Sequence, residues 1–220
     1  SGEIHQDQTR LGELLAPHLA AGAFPIVLGG GHETSYGHFL AYALARREVA
    51  LLNWDAHADV RELKEGKSHS GSPFRQALLH PSALARGYTV AGLQPQSVSR
   101  AHLDFIAEQG GRWLWRRDLT HHAVSDLYDQ LPPAALVSFD LDAVDQSQAP
   151  GVSAPAAAGM STELWLHAAE RAGRCPSVTS VDIVELNPLV DRDGQTARLA
   201  ALTVWSVLRG RALARTNTAN

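Results

Sequence analysis

The run Val49-Ala50-Leu51-Leu52-Asn53-Trp54 passes directly into Asp55-Ala56-His57-Ala58-Asp59. A short apolar, β-branched stretch that stops at ionisable residues reads as a buried strand carrying polar groups at its carboxyl end. The pattern recurs. Pro25-Ile26-Val27-Leu28 ends in Gly29-Gly30-Gly31-His32, Tyr88-Thr89-Val90-Ala91 ends in Gly92, and Leu136-Val137-Ser138-Phe139 ends in Asp140-Leu141-Asp142. Val178-Thr179-Ser180-Val181-Asp182-Ile183 runs to Glu185. Helices are expected between these runs, near residues 9–21, 34–47, 98–109, 122–130, 162–172 and 195–209. Leu11, Leu14, Leu15 and Leu19 in the first, and Leu199, Leu202, Val204 and Leu208 in the last, have helical apolar spacing. Strands alternating with helices predict an α/β fold of three layers, α/β/α, around a mainly parallel sheet.

In an open parallel sheet the carboxyl ends of the strands border the crevice where ligands bind. Four strand ends therefore aim His32, Asp55/His57/Asp59, Asp140/Asp142 and Glu185 at one region. If Asp55, His57 and Asp59 stand on an extended segment, alternate side chains face the same side. Asp140 and Asp142 follow a buried-looking strand, and like charges there are unfavourable unless a cation compensates them. The triple glycine before His32 is expected to let the backbone approach closely and turn sharply. Two His and four Asp exceed a tetrahedral zinc site. They suit two divalent cations bridged by carboxylates; the oxygen-rich mixture favours manganese over zinc, and the imidazoles count against magnesium. Two such ions about 3.5–4 Å apart can make a shared water hydroxide-like near neutral pH.

Other polar residues receive structural readings. His5, His18, His38, His80, His102, His121, His122 and His167 are expected as surface or hydrogen-bonded core residues, Asp145 as a turn residue, and Asp182 as a partner behind the ligands. The triple glycine lacks the lysine or the spacing of a phosphate or dinucleotide loop.

Composition sets the frame. The 220 residues fit one domain, and the 45% apolar share is enough for a sizeable core. With 19 Lys+Arg against 23 Asp+Glu the net charge is −4, which argues against nucleic acid as a partner. No apolar run is long enough for a membrane span. The one cysteine, Cys175, permits neither an internal disulfide nor a thiolate metal cluster, and reads as a small buried side chain. The opening residues carry no leader pattern, so a cytoplasmic location is expected.

Four segments in order, Gly29-Gly30-Gly31-His32-Glu33, Asp55-Ala56-His57-Ala58-Asp59, Ser138-Phe139-Asp140-Leu141-Asp142 and Asp182-Ile183-Val184-Glu185-Leu186-Asn187-Pro188, resemble the signature of the arginase/agmatinase/formimidoylglutamase (ureohydrolase) family. Ser70-Gly71-Ser72-Pro73-Phe74-Arg75-Gln76, Ala149-Pro150-Gly151-Val152-Ser153-Ala154-Pro155 and the stretch 191–200 look most like the formimidoylglutamase branch. The resemblance implies an arginase-like α/β/α fold, two Mn2+ per chain, and hydrolysis of N-formimidoyl-L-glutamate to L-glutamate and formamide, a step of histidine degradation. It implies that His32, Asp55, Asp59 and Asp140 hold one ion. Asp55, His57, Asp140 and Asp142 would hold the other, with Asp55 and Asp140 bridging. Asp59 and Glu185 would be catalytic, Asp59 moving a proton and Glu185 pairing with the amidine.

The family's opening strand has no counterpart, so residues 1–220 are expected to form one arginase-like domain truncated at its N-terminus. Arginases carry a proton-shuttling His where Ser70 stands; His69 precedes it, and a loop histidine is an equally good reading. A tail with two carboxylates calls for cations or N–H donors. Arg61, two residues past Asp59, is the leading clamp. Arg75 is better read as an ordinary surface residue, and Ser153 is a further substrate contact. The rival readings are an agmatinase or guanidinobutyrase-type ureohydrolase, whose cationic substrate Arg61 would repel, and a non-catalytic metal-binding homologue. A homo-oligomer is compatible with all three.

Overall fold

The computed structural model describes residues 3–217. Six strands form one all-parallel sheet: β1 (Ile26–Leu28), β2 (Val49–Trp54), β3 (Ala85–Leu93), β4 (Arg112–Trp115), β5 (Ala135–Asp140) and β6 (Val178–Val184). Their spatial order is β1-β6-β5-β2-β3-β4. The two central strands, β2 and β5, are buried along their whole length, which is why they read as nearly continuous apolar runs. One face of the sheet is covered by α1 (Ile4–Ala20), α2 (Thr34–Leu44), α3 (Pro73–Leu78) and α4 (Arg100–Glu108), whose Leu19, Phe39, Tyr42, Phe74 and Ile106 share a core with Leu51, Tyr88 and Val90. The other face is covered by α5 (His121–Asp129), α6 (Thr162–Arg174) and α7 (Gln195–Asn217), packed on Leu52, Val137 and Val181. The expected three-layer α/β/α fold is therefore present.

From β2 the chain moves outward to β3 and then β4; from β5 it moves the opposite way to β6. The carboxyl ends of β2 and β5, which are hydrogen-bonded neighbours, thus lie at a topological switch point, where departing connections part and leave a crevice.

Two elements escaped the sequence reading. β4 is a short, half-exposed strand, Arg112-Trp113-Leu114-Trp115, at the edge of the sheet among the described residues, where it pairs with β3. It lacks the β-branched run that marks the interior strands. The six residues of α3 follow Ser72 with Pro73 in the first turn, a helix-start signal that was present but unread. Helix α1 begins at Ile4, α2 ends at Leu44, and α7 continues to Asn217, so element ends moved more than element identities.

Gly173 and Gly210 hold α6 and α7 together. A Cβ at Gly173 would stand 2.0 Å from the Val207 carbonyl oxygen, and one at Gly210 would stand 2.2 Å from that of Glu170. Backbone atoms cannot yield as a side chain would. Gly173→Ala is expected to destabilise the fold by about 3 kcal/mol or more, at the upper end of overpacking effects, read as a fall in the denaturation midpoint.

Candidate metal centre and substrate cleft

Asp55 directly follows β2, Asp140 ends β5, Asp142 sits in the short 3-10 turn after it, Glu185 directly follows β6, and His32 lies in the loop between β1 and α2. The four contributing strands are adjacent in the sheet. Two overlapping clusters result. His32, Asp55, Asp59 and Asp140 form a buried set, and Asp55, His57 and Asp142 form a second, with Asp55 common to both. The Nδ1 of His32 stands 2.8 Å from Asp59 Oδ2, 2.9 Å from Asp140 Oδ2 and 3.4 Å from Asp55 Oδ2. That of His57 stands 3.2 Å from Asp142 Oδ2 and 3.4 Å from Asp55 Oδ1.

The residues converge differently from expectation. The segment after Trp54 is not extended: it bends at Ala56 and His57, and Asp59 is left-handed, with φ 44°. The alternation argument for Asp55, His57, Asp59 and Arg61 therefore fails, and a bend does the gathering instead. The Asp55 carboxylate stabilises that bend, its Oδ1 accepting the His57 N–H at 2.7 Å. None of Gly29, Gly30 and Gly31 is left-handed. Close approach holds at Gly29, where a Cβ would meet Thr34 and Val184 side-chain atoms at 2.9 and 3.0 Å. Asp140 falls in the first cluster only. Its Oδ1 accepts the Asp142 N–H at 2.8 Å, which turns one oxygen away from the centre.

A buried relay orients His32. Ser138 donates its hydroxyl to Asp182 Oδ1 at 2.5 Å, and Asp182 also accepts from Ser35 and meets His38 Nδ1 at 2.8 Å. With its proton committed, Ser138 Oγ accepts from His32 Nε2–H at 2.9 Å. The Nδ1 lone pair of His32 is then turned on three carboxylates. That nitrogen is buried without a well-directed hydrogen-bond partner, as is Asp142 Oδ1. Oxygen and nitrogen lone pairs so close repel unless a proton or a metal cation lies among them. The donor set, two imidazole nitrogens and four carboxylates, fits divalent metal ions by this test. Asn53, a buried neighbour that sequence reasoning missed, donates to Asp55 Oδ2 at 2.9 Å and to the Tyr88 hydroxyl at 3.1 Å. Its signal was a polar residue inside an apolar run.

The electrostatics follow. Burial raises Asp140 well above the ordinary carboxyl range, with the Asp142 and Asp55 charges adding to it. Burial and the Asp55 charge likewise raise Asp59. Asp142 is pushed up to about 7, burial outweighing its bond to His57. Hydrogen bonds to Asp142 and Asp55 push His57 up to about 11. For Asp55, burial pulls upward, but His32 and His57 win and hold it low.

A cleft of about 140 Å3 opens beside the clusters, lined by Asp59, Arg61, Ser70, Ser153 and Glu185 among others. Glu185 has φ 68°, a strained conformation for a long side chain. Its N–H donates to the Gly30 carbonyl at 2.8 Å, and its Oε1 accepts the His32 N–H at 2.6 Å. Burial raises its carboxyl. Arg61 reaches the cleft by a route the sequence did not reveal. Its N–H donates to the Gly71 carbonyl at 2.8 Å, and a Cβ at Gly71 would stand 2.9 Å from its Cδ and 3.0 Å from its Nε. Ser153 Oγ accepts from Asn187 Nδ2 at 3.2 Å. Arg75 is engaged elsewhere, with Glu62 at 3.3 Å and over the Phe105 ring. His69 has both ring nitrogens occupied, by the Gly71 N–H and the Glu62 carbonyl, and Ser70 lines the cleft instead.

A doubly wound sheet with such a donor set at its switch point defines an α/β protein with a candidate binuclear metal centre. Comparison with known proteins agrees: the Arginase family matches residues 3–209, and the chain belongs to that family. It is 34% identical over 218 residues to a protein named formimidoylglutamase from Chromobacterium violaceum, covering 94% of this chain and 70% of that protein. A protein of the same name from Geobacillus thermodenitrificans is 35% identical over 209 residues, covering 91% of this chain and 64% of that one. The chain thus spans about two thirds of the length of the curated relatives it matches. Among solved structures, Trypanosoma cruzi formiminoglutamase with Mn2+2 superposes with a TM-score of 0.89 at 30% identity, covering 96% of this chain and 73% of that one. Arginase from Bacillus caldovelox superposes at 0.79 and 26%, covering 94% and 75%.

Proposed function

We propose that this chain hydrolyses a C–N bond of a linear amidine around two Mn2+ ions, converting N-formimidoyl-L-glutamate and water to L-glutamate and formamide. The observation that carries the reading is the pair of clusters sharing Asp55, with Arg61 and Glu185 lining the same cleft. The relatives named formimidoylglutamase and the neighbour solved with Mn2+2 support it. In this reading residues 1–220 act as one arginase-like domain.

His32, Asp55, Asp59 and Asp140 would hold one ion; Asp55, His57, Asp140 and Asp142 would hold the other. When bound, the pair supplies a water of lowered pKa as nucleophile. Asp59 accepts a proton at a carboxylate oxygen and returns it to the departing glutamate nitrogen. Glu185 holds the cationic amidine by a charge-assisted pair, its carboxylate aimed by the His32 N–H. Arg61 receives a tail carboxylate on its guanidinium fork, and the Ser153 hydroxyl contributes a second contact. Among the described residues no helix is long and apolar enough to cross a membrane. A cytoplasmic enzyme acting on a small molecule suits this chemistry.

Arg61→Ala is expected to raise KM for formimidoylglutamate by about tenfold or more while leaving kcat close to wild type, since removing a uniform binding contact has that signature. Gly71→Ala displaces the Arg61 side chain and is expected to shift KM in the same direction. An unchanged KM in both variants removes Arg61 from the substrate site.

The deciding experiment loads the protein with manganese, measures bound metal, and offers formimidoylglutamate, agmatine and arginine with product analysis. Formamide from the first supports the proposal. Urea from agmatine reassigns the chain to the guanidino-cleaving branch, and bound metal with no hydrolysis reassigns it to a non-catalytic homologue.

A further inference from the structure

The acidic cleft is small for the substrate proposed. Its volume of about 140 Å3 falls below the range of about 300–1,000 Å3 usual for small-molecule sites. It holds one guanidinium, that of Arg61, so one of two substrate carboxylates is left without a fork to receive it. Ser153 also lines a second cavity, of about 660 Å3. Val152, Pro155 and Val190 give this cavity apolar walls, and Ser153, Asn187 and Arg192 give it polar groups. Arg192 is the one ionisable residue among those that line it.

The wall between the two spaces is heavily braced. The Asn187 N–H donates to the Gly151 carbonyl at 2.8 Å, and the Gly151 N–H to the Thr196 hydroxyl at 2.7 Å. Asp191 packs on the same glycine, where a Cβ would stand 2.5 Å from that of Asp191. Its carboxylate accepts the Thr196 and Ala197 N–H groups at 2.9 and 3.0 Å. Arg192 comes next in the chain, its carbonyl accepting the Gln195 N–H at 2.9 Å. The backbone that carries the Arg192 side chain is thereby fixed against the Ser153 loop. Ser153 Oγ accepts from Asn187 Nδ2 at 3.2 Å, which leaves the hydroxyl proton to be donated to a ligand at the boundary.

We infer, resting on the reading of this cleft as a formimidoylglutamate site, that the substrate's side-chain carboxylate passes Ser153 into the second cavity and is received by Arg192. Arg61 then keeps the carboxylate nearer the reacting nitrogen. The side-chain methylenes meet the apolar walls, and the guanidinium fork matches the carboxylate bidentately. Arg192 becomes a determinant of preference for dicarboxylates. It is an exposed residue, which keeps the contribution of the pair modest.

The test compares manganese-loaded wild type, Arg192→Gln and Arg192→Lys on N-formimidoyl-L-glutamate and on N-formimidoyl-L-2-aminobutyrate, which lacks the side-chain carboxylate. Arg192→Gln is expected to raise KM for the first about fivefold at nearly constant kcat, as loss of one exposed charge-assisted pair predicts. For the second substrate kcat/KM is expected to stay close to wild type. Arg192→Lys, which keeps the charge without the planar fork, is expected to fall between wild type and Arg192→Gln. Calorimetric titration with N-formyl-L-glutamate, which keeps both carboxylates and lacks the amidine, reads the same contact without turnover, and its affinity is expected to fall about as far in Arg192→Gln. Hydrolysis of formimidoylglutamate with KM unchanged in Arg192→Gln overturns the Arg192 contact and leaves the proposed reaction in place. An equal rise in KM for both substrates also overturns it, because a merely structural role does the same. No hydrolysis by the wild type, with N-formyl-L-glutamate binding that weakens in Arg192→Gln, overturns the proposed reaction and keeps the dicarboxylate site. Neither hydrolysis nor Arg192-dependent binding overturns both.

Discussion

Asp140→Asn is expected to abolish metal retention and turnover together, while leaving the metal-free protein at least as stable as the wild type. The buried Asp140 Oδ2 stands 2.9 Å from His32 Nδ1, within the four-residue cluster. An amide there keeps the shape, and its oxygen can still accept the Asp142 N–H that Asp140 Oδ1 accepts now. What is lost is one anionic donor to a divalent cation, with a fall in turnover of about 10^3-fold or more if metal chemistry supplies several kcal/mol. The stability expectation runs the other way. Burial and the neighbouring Asp142 and Asp55 charges already raise the Asp140 carboxyl, so its ionised form works against the metal-free fold. Metal content by elemental analysis and thermal midpoints with and without chelator check both halves. Full metal content with normal turnover would remove Asp140 from the centre.

Glu185→Gln is expected to separate binding of metal from catalysis. Glu185 lies outside both ligand clusters, yet lines the cleft and touches His32 only through a backbone N–H. The glutamine amide oxygen can accept that N–H as well, so His32 keeps its place. What is lost is the negative charge opposite the amidine. A charge-assisted pair contributes about 1.5–3 kcal/mol, so kcat/KM is expected to fall by about tenfold to 10^2-fold with manganese content unchanged. Loss of metal in this variant would show that Glu185 supports the centre rather than the substrate.

Much of the fold and of the candidate site was legible in the sequence, for physical reasons. β2 and β5 read clearly because burial on both faces requires apolar side chains nearly throughout. The six candidate ligands stood out because four carboxylates close to buried runs have no ordinary structural explanation. Geometry hidden in the backbone was not legible. The bend at Ala56 and His57, the left-handed Asp59 and the parting of oxygens at Asp140 depend on local hydrogen bonds that spacing does not encode. Arg61 was named for an extended segment that does not exist; its position depends instead on the Gly71 backbone. The roles of Ser138 and Asn53 escaped because single polar residues inside apolar stretches announce a buried partner without saying which, whereas His38 is a hydrogen-bonded core residue, one of the two placements expected of it.

The sheet order carries a consequence for folding. β1 pairs with β6, Ile26 opposite Val181. That pairing joins Ile26–Leu28 to Val178–Val184 across most of the described chain, a non-local closure of the kind that slows folding.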